Sequence, residues 1–430
     1  MLLCIFLVSC ICLNLTSCKK QTDSEELSIW IGGSVVGEDE VEESQDSWVV
    51  QELVNQYAKQ FNVSVKLTYF EDEEAMVQLV ANNGRSGNEV PDIACVYSSE
   101  ILRDMSDVLY PLKSYITDEE KEHIMFWETV TDNGRSIEES NEVYGYPIGG
   151  TEVTFIAYNK SLFRKAGLNV EQNPPSTFDE FESVCETLAQ NGILPIVASD
   201  DGWNELYVQL FAKEWMQYVD DPTIISEAKG ELPFSKDKHL LNSLETMAAY
   251  FSKGYINQDY ATNEDATTLF ANGKAAMFSC SNYDINLYAD IMGDDFGALL
   301  VPDYTGDVVR DAICFGGCNQ CLSVTKDSKH KEDAIALIQW MSNKENNIRM
   351  AKKFGCFPNR NDIALDEYDS NPSEVVQAIY PLLPYAHCTA DYLMPMNVYT
   401  EFYRRSLSVV IGEMTPEEFG NEMDEITNAK

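Results

Sequence analysis

Tyr146-Pro147-Ile148-Gly149-Gly150-Thr151-Glu152-Val153-Thr154-Phe155-Ile156-Ala157-Tyr158-Asn159-Lys160 is the stretch on which the fold turns. Its β-branched and aromatic residues read as strand, but Gly149-Gly150 interrupts them. Ahead of it, Leu27–Ile31, Val63–Tyr69 and Pro91–Tyr97 are strand-like. Between them, Trp48, Val49, Leu53, Tyr57, Ala58 and Phe61 recur at helical spacing, and a second helix is expected over 73–82. Strand–helix–strand–helix–strand argues for a layered α/β domain. Beyond it, Asn173-Pro174-Pro175-Ser176-Thr177 breaks the chain. Thr177 and Glu180 then form a capping-box pattern for a helix over 178–191. Further strands are expected over 193–199, 274–279, 296–301 and 312–324, the last interrupted by Gly316-Gly317. Further helices are expected over 204–217, 238–253, 261–272, 332–341 with another following to 353, 374–383 and 398–411, and Pro416 opens a short final one.

The chain has 430 residues, which predicts two or three domains able to bury a core without staples. It carries 71 acidic and 30 basic residues, a formal charge of −41. That sign repels phosphate backbones, so nucleic acid is excluded as a partner. It offers no attraction to anionic lipid either, so any membrane attachment must be apolar or covalent.

The first 17 residues are uncharged, and the apolar run Leu2–Leu13 has signal-peptide length, too short to span a bilayer. Leu15-Thr16-Ser17-Cys18 resembles the lipobox of bacterial lipoproteins. The resemblance implies a signal peptide over 1–17, cleavage before Cys18, and acylation of Cys18 with diacylglycerol and palmitate. A tether over 18–26 would then hold the protein outside the cytoplasm on the cell membrane. The basic residues that usually open such a leader are missing. Of the 12 Cys, three would leave with the leader and Cys18 would be acylated, so eight remain: Cys95, Cys185, Cys280, Cys314, Cys318, Cys321, Cys356 and Cys388. An even count admits disulfides, and equally free buried thiols.

The order and spacing of these segments resemble the extracellular solute-binding proteins of bacterial ABC importers, in particular the maltose-binding-like group, family 1. Tyr146–Lys160 is the most specific piece. Phe270–Met277, Ala312–Gly317 with Leu322–Lys326, and the helix pair over 331–347 are similar to further shared blocks. The resemblance covers roughly 27–425. It implies an α/β, two-lobed periplasmic-binding-protein fold with an interlobe ligand cleft and several hinge crossings. The expected lobes are 27–148 with 315–353, and 149–314 with 354–430. Crossings are expected near Ile148–Thr151, Cys314–Gly317 and Lys353–Pro358, where the Gly pairs suit a hinge.

The resemblance also implies a monomeric lipoprotein that captures a sugar or oligosaccharide and delivers it to the transmembrane subunits of an ABC permease. No catalysis, cofactor or metal is expected. Sugars present apolar faces and fixed hydroxyls, so a sugar cleft needs flat aromatics and polar side chains on lobe-edge loops. Tyr97, Ser99 and Glu100 follow a strand at its carboxyl end, where α/β sheets place ligands. Glu152 sits in a turn where the family often has a binding Glu. Trp203 and Asn204 open a helix from a polar loop. Tyr283 and Asp284 stand near a family stacking position, Phe315 and Asn319 flank the second crossing, and Tyr399 falls near another stacking position. Ser34 and Glu38 are weaker candidates. Ser99 and Glu100 replace the family's acidic–basic pair, which argues against maltose as the ligand.

Two alternatives follow from the same residues. The acidity suits a polyamine or another non-sugar solute on the same fold. Cys314-x3-Cys318-x2-Cys321 has the spacing of a [4Fe–4S] enzyme motif, though Gln320 stands where an aromatic is usual. A glycosidase has no specific support, because 71 acidic residues guarantee chance carboxylate pairs.

Overall fold

The computed structural model describes residues 26–36, 44–200, 204–310 and 313–428, and leaves the side chains of Ser34 and Asp46 undescribed. The expected leader, Cys18 with most of its tether, Glu38 and Trp203 lie outside the described residues.

The first sheet has the order β2-β1-β3-β10-β4. Strands β1 (Leu27–Ile31), β2 (Val65–Tyr69) and β3 (Ile93–Tyr97) run parallel, with Leu27 opposite Val65 and Ile29 opposite Ile93. Leu27, Ile29 and Ile31 are buried, as an alternating strand with one core face requires. Helix Val49–Phe61 buries Val49, Leu53, Val54 and Tyr57 along one stripe. Helix Glu73–Ser86 starts where Asp72 Oδ1 accepts the Ala75 N–H at 2.8 Å. It runs four residues past the expected stop, because the left-handed residue that ends it is Gly87 (φ +69°).

The second sheet has the order β11-β9-β5-β7-β6, with β8 also on β5. Its strands are β5 (Glu152–Asn159), β6 (Leu194–Ile196), β7 (Ala275–Ser281), β8 (Phe296–Leu299), β9 (Cys314–Gly317) and β11 (Ala386–Cys388). Strand β5 is central and buried from Val153 to Asn159. The helix Phe178–Gln190 is capped by Thr177, whose Oγ1 accepts the Glu180 N–H at 3.3 Å. The expected return bond shifts by one residue: Glu180 accepts from Ser176 N and Oγ, both at 2.8 Å.

Each sheet has its own hydrophobic core. One draws on residues 27–148 and 321–350, the other on residues 153–315 and 357–423. The molecule is therefore two α/β lobes. The strand-like run from Tyr144 to Asn159 splits at the glycines: β4 (Tyr146–Pro147) pairs with β10 (Gln320–Val324) in the first sheet, and β5 belongs to the second. Gly149 and Gly150 have φ of +91° and +143°, so this pair makes the turn that carries the chain between lobes.

The second glycine pair does something else. Gly316 and Gly317 lie within β9, opposite Val153 and Glu152. A Cβ on Gly316 would collide with the Glu152 carbonyl oxygen, and one on Gly317 with the Tyr392 ring. These glycines serve close packing inside the second lobe. The crossing expected at Cys314–Gly317 lies instead at Cys318–Asn319, between β9 and β10.

Among the described residues no helix is long and apolar enough to cross a membrane.

Candidate functional site

Three chain crossings lie side by side at the lobe junction. Thr151, on the first, forms a two-bond bridge to Phe357 on the third. Its Oγ1 donates to the Gly317 carbonyl at 2.8 Å, tying in the second. Two thiols add to this bundle: Cys318 donates to the Ile148 carbonyl at 3.2 Å and Cys356 to the Gly149 carbonyl at 3.3 Å. Asn282 fixes the start of β5, accepting the Val153 N–H at 2.5 Å and donating to the Thr151 carbonyl at 3.2 Å.

A cavity of about 780 Å³ opens beside these crossings, with walls from both lobes. The first lobe contributes Tyr97, Ser98, Ser99 and Glu100 from the end of β3, and Glu74 and Gln78 from the helix over 73–86. Ser98 is held to the second crossing, its N–H on the Asn319 carbonyl and its Oγ on the Cys318 carbonyl, both at 2.8 Å. Ser99 takes the left-handed conformation (φ +65°), backbone strain of the kind that gathers at binding loops.

The second lobe contributes Glu152 at the start of β5, Gln209, Asp391 and Tyr392 of the turn Ala390–Leu393, and Tyr399 and Tyr403 of helix Met396–Val410. Tyr399 and Tyr403 lie one helical turn apart, rings tilted at 6.0 Å. Tyr392 donates its hydroxyl to Asn319 Oδ1. Arg103, from the helix after β3, ties the walls together: it binds Glu100 at 2.9 Å and donates to the Tyr392 carbonyl at 2.9 Å.

The electrostatics of the walls are one-sided. Among the described residues, five carboxylates line the cavity and no Lys, Arg or His does. Burial pushes the Glu152 carboxyl up to about 7, against a hydrogen bond from Ser281, and Asp284 and Asp391 add to the rise. Burial likewise raises Asp391, opposed by hydrogen bonds from Thr389 and Tyr403.

Six of the expected residues, Tyr97, Ser99, Glu100, Glu152, Asn319 and Tyr399, come together on this cavity. Four others do not. Asn204 is fully buried, donating to Ser406 Oγ at 2.8 Å and accepting from the Tyr260 hydroxyl at 2.5 Å, so its amide serves the core. Phe315 points into the second lobe's core at 1% exposure. Tyr283 is exposed and does not line the cavity, its hydroxyl partnered by Cys356. Asp284 closes a capping box on the Ser281 N–H at 3.1 Å. The expectation missed Glu74, Gln78, Gln209, Asp391, Tyr392 and Tyr403. Tyr403 was within reach, since it follows Tyr399 at helical spacing.

The three clustered cysteines do not converge. Cys314 lies on β9 and donates to the Leu382 carbonyl, and Cys321 lies on β10 of the other sheet and donates to the Val96 carbonyl. All eight cysteines are free and buried. Among the described residues, Glu119, His123 and Asp362 place possible metal-ligand atoms within 4.8 Å of one another. The Arg360 guanidinium already binds both of those carboxylates, which opposes a cation there.

Comparison with known proteins gives a consistent result. The profile of the bacterial extracellular solute-binding protein family matches residues 52–375. An uncharacterized ABC transporter extracellular-binding protein of Pyrococcus horikoshii is 26% identical over 240 residues, 54% of this chain and 50% of that protein. The sn-glycerol-3-phosphate-binding periplasmic protein of Shigella flexneri is 24% identical over 214 residues, 48% of this chain and 47% of its own. The chain thus spans about half the length of the curated relatives it matches. Among solved structures, a sugar-binding protein of Xanthomonas citri superposes with a TM-score of 0.73 at 20% identity, covering 94% of this chain and 97% of its own. A chitin oligosaccharide binding protein gives 0.71 at 19%, covering 94% and 98%. These likenesses establish the two-lobed fold.

Proposed function

Because the chain belongs to the bacterial extracellular solute-binding proteins, we propose that it captures a carbohydrate in the interlobe cavity and presents it to an ABC permease. The observation that carries this reading is the cavity lining. Three part-exposed tyrosines, Tyr97, Tyr392 and Tyr399, and the buried Tyr403 line the cavity beside carboxylates and amides drawn from both lobes. The sugar-binding proteins among the structural neighbours support the same ligand class. The family is one of binding proteins, and the reading assigns no chemical step to the site.

The mechanism follows from differential contact. An open form offers each lobe's groups separately, and a ligand touching both favours the closed form. The lobes would be 27–148 with 318–353, and 149–317 with 354–430, moving about the three crossings. The permease would read the closed form. Acylation of Cys18 would hold the monomer at the outer face of the cell membrane, since two or more acyl chains suffice for stable anchoring. A polyamine is the second reading, favoured by the five carboxylates and the lack of a cationic side chain on the walls among the described residues.

Thermal unfolding against a panel of sugars and polyamines tests the proposal. A ligand at 1,000 times its Kd adds about 4 kcal/mol, a rise of several degrees in Tm. A rise with one sugar class is the expected result. A rise with polyamines alone would replace the ligand and keep the fold.

A further inference from the structure

We infer that the ligand is an amine-bearing saccharide, its ammonium group seated between Glu152 and Asp391 and its hydroxyl and ring oxygens taken by Asn319 and Gln209. This rests on the carbohydrate reading above and narrows it.

The first observation is charge. Of the five lining carboxylates, Glu100 is offset by its ion pair with Arg103. Glu74 and Glu205 are exposed at the rim, where water screens them. Glu152 and Asp391 are left, both drawn from the second lobe and both on the cavity wall, where Asp391 adds to the rise of the Glu152 carboxyl. Burying like charges together is unfavourable unless a proton or a cation joins them. Asp391 Oδ1 is moreover buried with no hydrogen-bond partner, an acceptor that a ligand donor would satisfy. A neutral hydroxyl could satisfy that oxygen but would leave the charge uncompensated. A protonated amine does both.

The second observation is the state of the amides. Asn319 Oδ1 accepts from the Tyr392 hydroxyl, and Gln209 Oε1 accepts from Ser279 Oγ at 2.9 Å. Each oxygen already accepts one bond, and the groups left to the cavity without any bond are the NH2 donors. Neither amide nitrogen has a protein acceptor among the described residues. Donors require acceptor oxygens on the ligand. A linear polyamine has none, whereas a sugar ring carries several. The tyrosines supply faces for that ring. The same walls disfavour a phosphorylated ligand, because no cationic side chain among the lining residues would meet it.

Calorimetric titration of the full chain with matched saccharide sets tests this. Glucosamine, N-acetylglucosamine and glucose are compared as monosaccharides and as β-1,4-linked dimers and trimers. The galactosamine series and spermidine are run alongside. The amine member of a set should bind at least ten-fold tighter than its acetylated and neutral counterparts. That preference should shrink as salt is raised in the wild-type protein. It should also collapse in Glu152→Gln and Asp391→Asn. Equal or tighter binding of the neutral or acetylated sugars would overturn the amine assignment and leave the carbohydrate reading standing. Binding of spermidine without any saccharide, or of nothing in the panel, would overturn both. Because the salt arm uses the unmodified protein, a variant that misfolds does not remove the test.

Discussion

Thr151 donates its backbone N–H to the Phe357 carbonyl at 2.6 Å and accepts the Phe357 N–H at 3.2 Å, joining the first and third lobe crossings as a two-residue sheet. Gly150, immediately before it, packs against the same segment, where an added Cβ would strike Cys356 Sγ and the Phe357 carbonyl oxygen. Motion between lobes must flex this bundle, because all three connections run through it.

Gly150→Ala is expected to destabilise the protein by about 1–3 kcal/mol from backbone strain alone, with the clash adding to it. Gly167→Ala is the control. Gly167 also has a positive φ (+77°), but nothing lies within 4 Å of its added Cβ. Urea melts of the two variants should rank Gly150→Ala as clearly the weaker. Equal losses would mean that the close approach to the third crossing carries no energy.

Tyr399 and Asn204 should behave oppositely. Tyr399→Ala removes a cavity face and should lower ligand affinity about 2- to 12-fold, the worth of an aromatic contact at about 0.5–1.5 kcal/mol. Asn204→Ala removes the buried acceptor of the Tyr260 hydroxyl and the donor to Ser406 Oγ, at a cost of about 1–3 kcal/mol. It should lower Tm with affinity per folded molecule unchanged. Titration and melting on both variants check the split. An affinity loss in Asn204→Ala without a change in Tm would return that residue to the site.

Glu227 makes stability depend on pH. It is 3% exposed, and burial, then the neighbouring Asp237, push its carboxyl up to about 9. Asp237 accepts hydrogen bonds from Trp215 Nε1 at 2.7 Å and from the His239 and Leu240 N–H groups. A group raised in the folded state contributes its full stability below its unfolded value near 4.5, and that contribution is lost as pH climbs toward 9. One proton changes stability by about 1.4 kcal/mol per pH unit within that window. Glu227→Gln should therefore gain on the wild type steadily from pH 5 to pH 9. A constant difference between the two across that range would contradict the assignment.

The eight buried cysteines should resist alkylation in the native protein. Burial pushes Cys318 and Cys356 up to about 12, so almost no thiolate is present at neutral pH. Mass-spectrometric counting of iodoacetamide adducts should find these eight unmodified in buffer and modified in denaturant. Rapid native labelling of Cys318 or Cys356 would show that the crossings open more than the structure indicates.

Much of the framework was legible because periodicity is local. Strands β1 to β3 and the helices between them follow from alternation and helical spacing in Leu27–Tyr97. The glycine pairs were legible as special but not as different. Positive φ at Gly149-Gly150 and close packing at Gly316-Gly317 leave the same letters in the sequence, and only the facing residues, Glu152 and Tyr392, separate them. Strand β11 went unseen because three residues carry no period. The site was half legible for the same reason. Loops at strand ends, such as Tyr97–Glu100, can be placed from the strand before them. Asp391 and Tyr392 reach the cavity from a short turn whose position depends on packing some 240 residues from Glu152. Asn204 looked like a polar loop residue, yet its partners Ser406 and Tyr260 are distant in sequence and take it into the core.

Lobe closure on a ligand held between the two cores is the central claim. Small-angle X-ray scattering on the full chain tests it most directly, with and without the saccharide that raises Tm. A smaller radius of gyration at saturating ligand, and a scattering curve fitted by rotating residues 27–148 with 318–353 against the remainder, is the predicted result. An unchanged radius of gyration at full occupancy would contradict it.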